Sequence, residues 1–127
     1  MPNMSEEAGL TELRRGVIGP CVLALLAGKP RFGLQLVRDL SAADGLLTSE
    51  GTVYPLLNRL RDAGLVTSQW QVSEGERARR YYAITDAGRA RLDSFRTEWQ
   101  RFSTTVDAVL SPRRIRGSSG RASGTRG

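Results

Sequence analysis

Three groups of side chains in this 127-residue sequence have types and spacings that could do chemistry, and in each the chemistry is recognition rather than bond-making. The first is Ser49, Thr52, Tyr54, Asn58 and Arg59, on what reads as the outward face of one helix. Hydroxyl, amide and guanidinium groups in such a row reach base edges and phosphate oxygens. Hydroxyls near a helix start also act beside free backbone N–H groups. The second is Arg77, Arg79 and Arg80, near the tip of a β-hairpin, where arginines follow phosphates or enter a narrow minor groove. The third is an apolar row, Leu92, Phe95, Trp99, Phe102, Val106 and Val109, at intervals of 3, 4, 3, 4 and 3. Its mean period of 3.5 is that of a heptad seam pairing one helix with another.

Catalysis has little to work with. There is no histidine, which removes Ser-His-Asp and Cys-His activation and every zinc site needing His or several Cys. The single cysteine, Cys21, has apolar helical neighbours and reads as a small buried thiol with no disulfide partner. An enzyme would be left with Lys29, arginines, hydroxyls and thirteen scattered acidic residues, none set out as an acid/base couple. The expectation is a protein that is not an enzyme and needs no cofactor or metal.

The formal charge of +6 is unevenly placed. Residues 1–110 carry fourteen basic and thirteen acidic side chains, while residues 111–127 add five arginines and no acid. Basicity therefore belongs to the Gly/Ser/Arg tail, whose composition predicts disorder, and it says nothing about the folded body. No apolar run is long enough to span a membrane, and the start MPNMSEEAGL lacks a signal-peptide layout, so the expected location is a bacterial cytoplasm.

The elements that must position these groups follow from periodicity. Thr11-Glu12 reads as an N-cap, followed by a stripe of Leu13, Val17, Cys21 and Leu25 widened by Ile18, Val22 and Leu26. Pro20 predicts a kink or a late helix start, and Gly28-Lys29-Pro30 a stop. A second short helix has Phe32, Leu36, Val37 and Leu40 inward. A third spans Ser49–Ala63, with Ser49 as N-cap, Val53, Leu56, Leu57 and Leu60 in the core, and Gly64 just past its end. Pro55 lies too deep for the first turn, so the expectation there is an irregular start or one near Thr52. Leu65–Val72 and Arg77–Ile84 read as two strands joined through Ser73-Glu74-Gly75-Glu76, and Thr85-Asp86-Ala87-Gly88 caps a last helix. Glu74 and Glu76 flank the hairpin tip and would oppose phosphate.

Helix, helix, helix, hairpin is the order of a winged helix-turn-helix, in which the second helix of the pair enters the major groove. The residues carry a specific resemblance beyond that order. The run Ser49-Glu50-Gly51-Thr52-Val53-Tyr54-Pro55-Leu56-Leu57-Asn58-Arg59-Leu60, continuing to Gly64-Leu65-Val66, resembles the recognition-helix signature of the PadR family. Arg79-Arg80-Tyr81-Tyr82-Ala83-Ile84-Thr85-Asp86-Ala87-Gly88 is similar to that family's strand-to-helix segment. Phe32-Gly33-Leu34-Gln35-Leu36 is similar to its second-helix start, with Phe for the usual Tyr. The likeness covers roughly residues 13–110. It implies a mainly α fold with a β-hairpin wing and a long C-terminal dimerisation helix, in a regulator that is usually a repressor. It places Thr52, Tyr54 and Arg59 on the recognition helix and Arg79 and Arg80 on the wing, and it accommodates Pro55. Tyr82, alternating with Arg80 and Ile84, is expected in the core.

The resulting division is a disordered 1–9, a winged helix-turn-helix domain over 10–84, a dimerisation helix over 85–110 and a disordered arginine-rich tail over 111–127. The aromatic seam predicts a homodimer, and a two-fold dimer predicts a palindromic double-stranded DNA operator. In some multidrug-responsive proteins resembling this subgroup, a Trp on the last helix stacks planar aromatic ligands across the dimer axis. That implies an effector site at Phe95, Trp99 and Phe102, with plain dimer packing as the other reading of the same residues. The near-neutral body also leaves open a winged dimeric protein-interaction module without sequence-specific DNA binding.

Overall fold

The first helical run is broken just ahead of Pro20, with Leu13 and Arg15 helical before the break. Residues 16–17 form a turn, and helix α1 (Ile18–Gly28) begins so that Pro20 falls in its first turn, where a missing N–H breaks no intrahelical bond. The break also settles which stripe is buried. Ile18, Val22, Leu23 and Leu26 face the core, whereas Leu13, which precedes the turn, is 72% exposed, and Cys21 and Leu25 are half-buried. Burial raises the Cys21 thiol above its ordinary pKa, as expected of a packing residue. The computed structural model describes residues 13, 15–43, 46, 48–72, 75 and 77–111. The expected cap at Thr11-Glu12, the segment 1–9, Glu74, Glu76 and the tail from 112 onward lie outside the described residues.

After α1 the chain makes a two-residue strand, β1 (Arg31–Phe32), and turns into helix α2 (Gly33–Ala42). The hairpin is thus the larger part of a three-stranded sheet. Phe32, expected inside the second helix, is its N-cap: the Phe32 N–H donates to Gln35 Oε1 at 3.0 Å. Arg31 ties three segments together, donating from Nε to the Leu25 carbonyl at 3.1 Å and pairing with Asp39 of α2 at 2.5 Å.

Helix α3 (Glu50–Asp62) starts on the Ser49 carbonyl, which accepts from the N–H groups of Thr52 and Val53. Ser49 holds the N-cap position without a side-chain capping bond. Pro55 lies inside an uninterrupted helix, on its exposed side together with Gly51, whose carbonyl is the one that loses its intrahelical donor. The end of α3 is a Schellman motif: the Gly64 N–H donates to Arg61 O at 2.9 Å and the Leu65 N–H to Leu60 O at 2.9 Å, with Gly64 at φ +78°.

Strands β2 (Val66–Gln71) and β3 (Arg79–Ile84) pair antiparallel from Val66↔Ile84 to Gln71↔Arg79. Strand β1 adds to the other side of β3 through Arg31↔Tyr82 and Phe32↔Tyr81, giving the order β1-β3-β2. Val66, Tyr82 and Ile84 share the face that packs on the core, and Tyr82 is 2% exposed. Val22, Leu26, Leu36, Leu40, Val53 and Leu57 complete that core, each contributing roughly 1.5–3 kcal/mol by leaving water.

The last helix, α4 (Asp86–Leu110), begins in a clasp with the end of α3. Thr85 Oγ1 accepts from the Gly88 N–H at 3.0 Å and donates to the Gly64 carbonyl at 2.7 Å, while the Thr85 N–H donates to Leu65 O at 3.0 Å. Gly88 is glycine because a Cβ there would overlap the Leu65 carbonyl and the Ile84 side chain.

The chain divides into two compact units, one ending at Leu92 and the other starting at Asp93. Leu92, expected on the dimer seam, belongs instead to the core of the first unit, 4% exposed; its side chain is already covered within the chain. Within the second unit Phe95 and Trp99 stack at 6.1 Å between ring centroids, and Trp99 and Phe102 lie 6.5 Å apart. Trp99 is 46% and Phe102 62% exposed, Val109 is also exposed, and Phe95 and Val106 are half-buried. Thr97, Thr104 and Thr105 donate to carbonyls four residues back, which satisfies their hydroxyls on the helix itself.

Thr85→Ala removes both hydroxyl bonds of the clasp and is expected to lower stability by about 1–2 kcal/mol in urea or thermal unfolding, with Thr85→Ser close to wild type. Equal losses in the two variants would show that the hydroxyl is not what holds the junction.

Candidate nucleic-acid interface

Helix α3 divides by angle. Val53 and Leu57 point into the core, Thr52 and Arg59 share one exposed row two turns apart, and Tyr54 and Asn58 share the flank that faces the wing. Ser49, Thr52, Asn58 and Arg59 are exposed, as expected. Tyr54 is different. It is half-buried and packed against the core, with its ring over Gly33 at the start of α2, where a Cβ would overlap the ring atoms. The sequence reading placed Tyr54 among outward donors because its helical position is on the flank; Gly33 opens the space that draws the ring inward. Burial raises the phenol pKa, with the Glu50 carboxylate and then Tyr82 adding to the shift. Tyr54 therefore stays a neutral donor at neutral pH.

Strand alternation sends Arg79 and Arg80 to opposite faces of β3. Arg79 lies with its guanidinium 4.6 Å from the centroid of the Phe32 ring, which meets Tyr81 edge-on at 5.6 Å. Arg80 continues the face of Tyr82 and Ile84 outward, and its guanidinium sits 5.0 Å from the centroid of its cross-strand partner Trp70. The Arg80 Nε is buried with no hydrogen-bond partner among the described residues, so the ring is what holds this side chain in place.

Between α2, α3 and the wing lies a cleft of about 720 Å³. It brings together Tyr54, Asn58, Arg77, Arg79 and Arg80 from the sequence-predicted set and leaves Ser49, Thr52 and Arg59 outside it. Arg38 of α2 and Trp70 of β2 also line it, and neither was picked out from the sequence. Arg38 gave no signal there because it stands alone on a helix read only for its core face. Trp70 could have been found from its alternation with the core residue Val66. Four arginines and no carboxylate line the cleft among the described residues, and Trp70 is 63% exposed. Bulk charge hid this patch, because a net charge does not tell which of the charged side chains share one cleft.

A helix pair with its second helix outward, followed by an arginine-bearing two-stranded wing that a short third strand ties back to the body, is a winged helix-turn-helix. Over residues 22–94 the chain matches the model of the transcriptional regulator PadR-like family, and it belongs to that family. It is 36% identical over 97 residues to the transcriptional regulator Rv3488 of Mycobacterium tuberculosis, covering 76% of this chain and 89% of that protein. Among solved structures it is similar to a PadR family transcriptional regulator from Eggerthella lenta, with a TM-score of 0.75 and 34% identity over 82% of this chain and 90% of that one. A PadR-like transcriptional regulator from Bacillus cereus gives a TM-score of 0.70 and 32% identity over 78% and 96% of the two chains. The chain is thus a transcriptional regulator by family, a class that is not enzymatic. No helix among the described residues is long and apolar enough to cross a membrane.

Gly33→Ala is expected to destabilise the fold by about 1–3 kcal/mol through the Tyr54 overlap, and by clearly less in a Tyr54→Leu background. Urea unfolding of the four proteins checks this; an equal loss in both backgrounds would mean that the new methyl clashes with something other than the ring.

Proposed function

We propose that this chain is a homodimeric repressor that binds a palindromic operator, with α3 in the major groove and the β2–β3 wing along the adjacent backbone. The observation that supports it most is the placing of Arg77, Arg79 and Arg80 beside Asn58 of α3 around one cleft that no carboxylate lines among the described residues. Thr52, Asn58 and Arg59 present the donors and acceptors that distinguish base pairs in the major groove, with Ser49 at the helix start beside first-turn N–H groups. Exposed Trp99, Phe102 and Val109, with Phe95 and Val106 half-buried beside them, are the apolar surface that a second copy of the helix would cover. Two protomers then set half-sites one helical turn, or a multiple of it, apart. Such a regulator works beside the chromosome, in the bacterial cytoplasm.

The aromatic row supports a second feature of this reading. Phe95, Trp99 and Phe102 form a ladder of rings on which a planar aromatic effector would stack at the two-fold seam, shifting the dimer between a DNA-binding geometry and a released one.

A mobility shift with the promoter of the chain's own gene tests DNA binding. A specific complex should survive competitor DNA, and Arg80→Ala should weaken it and flatten its salt dependence. No shift at low salt would instead favour a winged dimer that binds protein rather than DNA. In sedimentation, wild type should be a dimer and Phe102→Glu should move it toward monomer; a wild-type monomer would sink the seam. Planar dyes should quench Trp fluorescence in wild type and do so much less in Trp99→Ala, and equal quenching in both would remove the effector site.

A further inference from the structure

Of the four arginines lining the cleft, Arg38 is the one that neither the helix-turn-helix row nor the wing accounts for. It is exposed on α2, lines the same cleft as the wing arginines, and takes part in no ion pair among the described residues. Its neighbours in the fold are spent on structure: Arg31 is paired with Asp39 and bonded to the Leu25 carbonyl. On the wing, Arg80 is held against Trp70, with no carboxylate paired to it among the described residues, so its charge is available to a ligand. Asn58 of α3 lines the same cleft.

We propose that this cleft is a groove for one sugar–phosphate strand, gripped from α2 by Arg38 and from the wing by Arg80, with Trp70 as the residue that positions Arg80. The inference rests on the DNA-binding reading and adds to it a second wall. Two cations that line one cleft from different elements repel when it is empty and are both neutralised when a polyanion occupies it. A strand whose phosphates pass between two such walls is fixed in register relative to α3, which a wing acting alone would not achieve. The first helix of a helix-turn-helix crosses the backbone, so Arg38 sits on the element that can supply that wall.

The probe is a fluorescein-labelled mixed-sequence duplex, read by anisotropy over a range of salt concentrations, so that base recognition plays no part. Arg38→Gln is expected to lower the slope of log affinity against log salt by about 0.9 for each protomer, with Arg38→Lys restoring it. Trp70→Leu is expected to weaken binding as Arg80→Ala does, and to add nothing further in the Arg80→Ala background. Unchanged slope and affinity in Arg38→Gln, with wild type binding the duplex, would overturn the two-walled groove and leave DNA binding standing. Additive losses for Trp70 and Arg80 would overturn the positioning role. Failure of wild type to bind any duplex at low salt would instead remove the DNA-binding reading on which the groove rests. Arg38 is exposed, so its variants should melt as wild type does, and circular dichroism checks that the comparison is between folded proteins.

Discussion

Everything functional in this fold depends on how the chain leaves α3 and returns to it. The wing departs at Leu65 and comes back at Thr85, and the bond from the Thr85 N–H to the Leu65 carbonyl closes that excursion at its base. One hydroxyl, that of Thr85, then caps the next helix and holds the Gly64 carbonyl of the preceding turn. Gly64 supplies the left-handed turn, and Gly88 leaves room for the carbonyl between them. One backbone bond and two bonds of the Thr85 hydroxyl thus fix the base of the wing against the end of α3. The width of the cleft follows from that attachment.

The electrostatics of the interface depend on arrangement more than on amount. The body is almost neutral, yet among the described residues no carboxylate lines the cleft, and some are used up locally, as Asp39 is by Arg31 and Asp93 by Arg96. Aromatic rings do the work that carboxylates would otherwise do in holding the wing arginines: Phe32 under Arg79 and Trp70 under Arg80. A ring orients a guanidinium without cancelling its charge, whereas a carboxylate would have done both. That is a physical reason for aromatic residues to lie on an arginine-rich face.

Much of this was legible from local chemistry. A break in the first helix at Pro20, Gly64 as the helix stop, Thr85 as the cap and Tyr82 in the core all follow from rules that act within a few residues, and the structure agrees with each. The misreadings have one cause, contacts between residues distant in sequence. Strand β1 is two residues long and exists only because β3 offers it an edge, so no periodicity could announce it. Tyr54 turns inward because of Gly33, Leu92 is covered by the core rather than left on the seam, and Leu13 is left exposed by a turn that Pro20 enforces downstream. Arg38 and Trp70 join the site only because three elements converge there.

Strand β1 has a consequence for the order in which the molecule is built. Its partners, Tyr82 for Arg31 and Tyr81 for Phe32, are about fifty residues further along the chain. During synthesis α1, α2 and α3 can all form and begin to pack while β1 still has no partner, because local contacts precede those that must close a long loop. The sheet is completed only when β3 has been made and folded back between β2 and β1. Both walls of the cleft therefore acquire their final spacing in one late event, and a nascent chain stopped before Ile84 would hold the recognition helix but not the groove beside it.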